Sequence, residues 1–202
     1  MPHRLAQVPS PGALPGLLPM PFPNPQPLRY RDWPQVAALA LRSLPDLQAR
    51  TLRYYLCHHS NGFHVLREGR RVLGLSFVQR EPGSGELWLT MIAVDGDQRR
   101  RGLGSLLLQQ VEARAAGMGL ARVGLRCRQD NAQALAMYRR FGYAVTGESR
   151  HPRTGDPVFV LHKRLPTGAQ GTPQLPLLRR EVPRLRCWLN RAVHIGLFGL
   201  RV

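Results

Sequence analysis

The chain has 202 residues, a formal net charge of +17 and a hydrophobic share of 43%. That length suits one domain with tails. Three cysteines lie in separate segments with no CxxC spacing, which excludes a disulfide scaffold and points to a reducing, cytoplasmic setting.

The positive charge is carried almost wholly by arginine, Lys163 being the only lysine. It reads either as a skew of base composition or as a field that draws in anions. No metal-ligand cluster is visible. The neighbours His58 and His59 do not share a helix face.

Residues 1–26 are studded with proline, from Pro9 to Pro25. The prolines break every apolar run, so neither a signal-peptide core nor a membrane span is expected there. An extended or disordered arm is. Pro27 to Tyr30 reads as a short first strand. A helix follows, with Asp32 as candidate cap, Pro34 in its first turn and Val36, Leu39, Ala40 and Leu44 on one face. Pro45 ends it, and a second helix is expected from about Asp46 to His58. Strands are expected over 63–67 and 72–78, joined through Gly69. With hairpin-type connections, this half of the sheet is expected to be antiparallel.

The central stretch is the apolar run Leu87 to Val94, the turn Asp95-Gly96, the basic glycine loop Arg99-Arg100-Arg101-Gly102-Leu103-Gly104-Ser105 and a helix to about Ala116. Gly117 and Gly119 close the helix. A helix start with bare N–H groups beside three arginines is an anion site, suited to phosphates. Arg122 to Cys127 is the next strand. The strand–helix–strand order predicts a parallel pair with a right-handed crossover.

Asp130-Asn131 caps a short helix that carries Leu135, Tyr138 and Phe141 and stops at Gly142. Strands are expected from Tyr143 and over 157–162, joined by a polar loop. Residues 166–202 open as a Pro/Gly linker and end in a basic amphipathic segment. That segment is too short and too charged to span a bilayer. It is compatible with a membrane surface, with docking on its own domain or with a second subunit, so monomer and homodimer both stay open. Its arginines are interleaved with few aromatics, and no nucleic-acid-binding motif stands out, so nucleic acid is not an expected partner.

Two motifs carry a family resemblance. Arg99-x-x-Gly102-x-Gly104 follows an apolar strand. Asn131 is followed seven residues later by Tyr138, on the same helix face, and then by Phe141-Gly142-Tyr143. Together they resemble the GNAT superfamily of acyl-CoA-dependent N-acyltransferases, over roughly residues 27–165. The resemblance implies an α/β fold with a mixed central sheet flanked by about four helices. It implies an N-acetyltransferase that moves the acetyl group of acetyl-CoA directly to an amine, on a small molecule or a protein, without a metal. The expected cofactor contacts are Ile92, Ala93 and Val94 on the central strand, Arg99, Arg100, Arg101, Gly102, Leu103, Gly104 and Ser105 in the loop, and Asn131. A strand N–H near Ile92 to Val94 suits an oxyanion. Tyr138 is the expected acid at the leaving sulfur.

The sequence departs from the family pattern twice. Gly96 stands where the family often has proline. Arg126 stands where ribosomal-protein N-terminal acetyltransferases carry a glutamate, so the general base is not assigned. Glu86 is the nearest acidic candidate but reads more readily as a solvated turn residue. The missing carboxylate keeps a non-catalytic acyl-CoA-binding module as the alternative. Acceptor specificity is expected in the segment 33–61 and the loop 149–157.

Overall fold

The computed structural model describes residues 24–80, 85–151 and 154–166. The expected arm, up to residue 23, and the basic C-terminal segment, from residue 167, lie outside the described residues. The elements are β1 (Gln26–Pro27), α1 (Trp33–Ser43), α2 (Ala49–His58), β2 (Phe63–Glu68), β3 (Arg71–Arg80), β4 (Glu86–Val94), α3 (Leu103–Gly117), β5 (Arg122–Arg128), α4 (Ala132–Arg140), β6 (Ala144–Arg150) and β7 (Pro157–Arg164). The strands form one seven-stranded sheet in the order β1-β2-β3-β4-β5-β7-β6. β4 and β5 pair in parallel, as expected of strands joined by a crossover helix. The other neighbouring strands pair antiparallel.

A cluster around Leu108, Val111, Leu125 and Leu161 sits under α3 and α4, and a second, around Val36, Leu52, Phe63 and Phe77, sits under α1 and α2. β4 serves both. Phe77 pairs with Met91 and Val78 with Leu89, which leaves Thr90 as an extra residue in a bulge. A bulge reverses the side-chain alternation and bends the strand. Leu87 and Leu89 therefore belong to the α3 cluster, and Met91 and Ala93 to the α1 cluster.

The start of the domain corrects two expectations. The first strand holds only Gln26–Pro27, and residues 30–32 form a short 3-10 turn before α1. Asp32 stands at the N-cap position of α1, but its side chain makes no capping hydrogen bond to that helix. Its Oδ2 accepts the Arg29 N–H at 2.8 Å and the Arg67 guanidinium at 2.5 Å and 3.0 Å, and both side chains are buried. Burial opposes the charged carboxylate, but the Arg67 and Arg29 hydrogen bonds hold the Asp32 pKa below its ordinary value. The ion pair ties the turn before α1 to β2, beside the edge of the sheet.

Candidate active site

The glycine loop folds into a backbone cradle. Arg100 has φ +61° and Gly102 φ +82°, so the chain twice enters the left-handed region within three residues. Alternation of this kind turns successive N–H groups toward one side, as in an anion nest. No side chain caps α3, and its first helical bond runs from the Leu106 N–H to the Gly102 carbonyl. The N–H groups of Leu103, Gly104 and Ser105 are thus left with no helical partner at the positive end of the dipole. A Cβ on Gly104 would lie 3.3 Å from the Met137 sulfur of α4, so glycine keeps the loop and α4 at close approach.

β4 and β5 open a gap beside this cradle. They pair only over Glu86–Leu89 and Arg122–Leu125. Beyond that point β4 stays bonded to β3, and β5 to β7. The Asp95 N–H donates to the Leu73 carbonyl at 2.9 Å. Main-chain directions alternate residue by residue along a strand, so the Ile92 and Val94 N–H groups point away from β3 and into the gap. The bulge at Thr90 falls where the strands part.

α4 closes the other side. The Asn131 Oδ1 accepts the Ala134 N–H at 3.1 Å, so Asn131 caps the helix while its amide NH2 is left for other partners. Tyr138, two turns on, is buried. Burial, with the Cys127 thiol nearby, pushes its phenol far above the usual range, so it keeps its proton at any working pH. Cys127, also buried, is pushed up to about 11 by burial and the Asp130 charge, and is a thiol rather than a thiolate.

These parts line two clefts. A narrower one, of about 650 Å³, is bounded by Ile92, Ala93, Val94, Arg99, Arg100, Gly102, Leu103, Gly104, Ser105, Asn131 and Tyr138. The expected cofactor residues thus meet in one place, with Arg101 as the exception. Arg101 is absent from this lining, and its Nη1 donates to the Gln98 side chain. Sequence reasoning did not single out Arg140, whose guanidinium donates to the Ser105 hydroxyl at 3.4 Å on the cleft wall. A wider cleft, of about 1150 Å³, joins the first at Ile92, Asn131 and Tyr138. Its walls include Asp46, Thr51 and Tyr55 from the segment 33–61 and His151 from the loop 149–157. Gln79, Arg80, Trp88, Arg126 and Arg128 complete it from the strands, and of these only Arg126 had a sequence signal.

Glu86 is no solvated turn residue. It is the first residue of β4, 6% exposed, ion-paired with Arg122 and 3.4 Å from the His162 Nε2. It does not line the wide cleft. The carboxylates that do, Asp46 and Asp130, are both bound to Arg128, which also holds Asp156. His151 accepts the Thr154 N–H at its Nδ1, which commits the lone pair a base would use. Among the described residues no group of His, Cys, Asp and Glu is placed to hold a metal ion, and no helix is long and apolar enough to cross a membrane.

Residues 28–143 match the model of the acetyltransferase (GNAT) family. A mycothiol acetyltransferase from Nocardiopsis dassonvillei is 34% identical over 154 residues, covering 72% of this chain and 44% of that protein. One from Clavibacter michiganensis is 40% identical over 73 residues, 36% of this chain and 23% of that protein. The chain thus spans less than half the length of the mycothiol acetyltransferases it matches. In fold it resembles a ribosomal-protein alanine N-acetyltransferase from Escherichia coli, with a TM-score of 0.62 at 21% identity over 73% of this chain and 96% of that one. It also resembles a Bacillus subtilis acetyltransferase crystallised with CoA, with a TM-score of 0.55 at 15% identity over 65% of this chain and 91% of that one.

Proposed function

The chain belongs to the acetyltransferase (GNAT) family, and from that membership we propose that it transfers the acetyl group of acetyl-CoA directly to an amine. The observation that carries the reading is the junction of the two clefts at Ile92, Asn131 and Tyr138. One arm ends in an anion cradle and the other opens to a second reactant, so two substrates meet at one point.

The residues fit acetyl-CoA on their chemistry. The bare N–H groups at the start of α3, flanked by Arg99 and Arg100, suit its phosphates. The Asn131 amide and the wall of α4 suit its arm. Bound there, the co-substrate supplies an acyl group already activated as a thioester. The Ile92 and Val94 N–H groups would donate to the charge that develops on the carbonyl oxygen. Tyr138 holds a proton that it can give to the leaving sulfur. Cys127, kept as a thiol, favours direct transfer over an acetyl-enzyme. With Glu86 paired elsewhere and Asp46 and Asp130 held by Arg128, the acceptor's proton passes to water in the wide cleft. The acceptor is an amine of a small molecule or a protein. The free thiols of Cys57 and Cys127 agree with a reducing, cytoplasmic site of action.

Calorimetric titration with acetyl-CoA, beside a Gly104→Asp variant, tests the cofactor half. One-site binding that the variant loses supports it, and no binding by the intact chain overturns it. Release of CoA in the presence of amines tests the transfer. Tight binding with no CoA release across a broad amine panel would instead favour a non-catalytic acyl-CoA-binding module.

A further inference from the structure

The charges at the acceptor cleft are unevenly paired. Arg128 is shared by three carboxylates, at 3.2 Å from Asp46, 2.9 Å from Asp130 and 2.7 Å from Asp156, which leaves that cluster net negative. Arg126, two residues earlier on β5, has no ion-pair partner among the described residues. Its Cζ lies over the Trp88 ring, 4.8 Å from the centroid. Arg80, at the end of β3, lines the same cleft and likewise has no ion-pair partner among the described residues.

Arg126 is also well placed. β5 parts from β4 after Leu125, so Arg126 is the first residue of β5 beyond the paired stretch, and it lines the wide cleft with Ile92. Contact with the indole restrains the guanidinium, and the exposed side chain keeps its N–H donors accessible. A fixed guanidinium fork binds a carboxylate or phosphate through two parallel hydrogen bonds.

We infer that Arg126, stacked on Trp88, recognises an anionic group on the acceptor, so that the preferred substrate is an amine bearing a carboxylate or phosphate a few bonds from its nitrogen. The inference rests on the acetyl-transfer reading only for the word acceptor. The site itself is an anion-binding one and is testable without turnover.

The experiment compares matched pairs on the full-length protein and on Arg126→Gln. Ligand-observed NMR titrations with acetyl-CoA absent would use N-acetylglycine against N-acetylglycinamide. CoA release would be followed with glycine against glycinamide, and with ethanolamine phosphate against ethanolamine, each kcat/KM being expressed per neutral amine. The wild type is expected to favour the anionic member of a pair roughly tenfold or more, in affinity and in kcat/KM, the range of a charge-assisted hydrogen bond. In Arg126→Gln that ratio is expected to collapse toward one, with Arg126→Lys recovering part of it. Preference within the second pair alone assigns phosphate, and within the first alone carboxylate. Equal binding of acid and amide by the wild type overturns the inference, as does a ratio that survives Arg126→Gln. No CoA release from any amine, with an anion preference that Arg126 still controls, would overturn the transferase reading and leave the anion site standing.

Discussion

Arg114 Nη1 of α3 donates to the His64 Nδ1 of β2 across 3.2 Å, and its Nη2 donates to the Asn61 carbonyl at 2.9 Å. An arginine only donates, so Nδ1 must accept, and His64 is the neutral tautomer protonated at Nε2. Burial, then the Arg114 charge, push the His64 pKa down from its ordinary 6.5 to about 4. The end of the central helix is thereby fastened to the start of β2 by a histidine that cannot be charged while the fastening holds.

Acid should loosen this contact. Below pH 6.5 the unfolded chain binds a proton at His64 that the folded protein refuses until about pH 4. The contact is therefore intact above pH 6.5, and stability falls as the pH drops toward 4, by about 3 kcal/mol in all. His64→Gln keeps an acceptor for Arg114 and removes the titration. Thermal melts at pH 7, 5.5 and 4 should show a smaller acid loss in the variant than in the wild type. Parallel losses would mean that other groups control the acid limb.

Removal of the Tyr138 hydroxyl should separate catalysis from binding. Phenylalanine fills nearly the same buried space, so Tyr138→Phe should fold normally and bind acetyl-CoA as the wild type does. Turnover should fall by roughly a hundredfold, the lower range for loss of a positioned acid. Steady-state CoA release and calorimetry on the same preparation would measure both. Unchanged turnover would reassign Tyr138 to packing alone.

The pH dependence of turnover should report the acceptor and not a protein carboxylate. Since the carboxylates of the wide cleft are held by Arg128, only the neutral fraction of the amine reacts. The value of kcat/KM should rise about tenfold per pH unit until the amine's own pKa, and the break should move when an amine of different basicity is used. A break that stays fixed across acceptors would identify a base on the protein.

Asp32→Ala should be among the most damaging single changes. It leaves the buried Arg67 guanidinium without its carboxylate, which costs about 3–5 kcal/mol. The expected fall in Tm is roughly 10 °C. Because the Asp32 pKa is lowered on folding, its stabilisation is complete above the unfolded value of 3.8 and is lost as pH falls through the folded one. The gap between wild type and variant should therefore narrow in strong acid. Differential scanning calorimetry of the two proteins at pH 7 and pH 3 would show it.

The cofactor end of the site was legible because its parts are local. Arg99 to Ser105 are consecutive, and a strand–turn–glycine–helix pattern leaves N–H groups bare wherever it folds. Asn131 and Tyr138 share a face through helical spacing alone. The acceptor end was not legible in the same way. Trp88, Arg80 and Gln79 come from strands whose pairing decides what faces the cleft, and the bulge at Thr90 is invisible to periodicity. Glu86 read as a turn residue because it follows Gly85, yet it is buried and its partners Arg122 and His162 come from β5 and β7. Asp32 was misread for a related reason. An acid before a helix with Pro34 in its first turn has the pattern of a cap, but its partner Arg67 is 35 residues away.

The order of strands and helices, the crossover between β4 and β5 and the bare helix start at Gly102 follow from sequence alone, because each rests on local pattern or on the length of the connecting segment. The tertiary structure alone decided which charges are spent and which remain. Asp46, Asp130 and Asp156 lie far apart in the chain and converge on Arg128, while Arg126 on the same strand is left with an indole. Charge pairing is a matter of distance in space. The acceptor's chemistry is therefore written in the packing of loops and strands, where no local pattern records it.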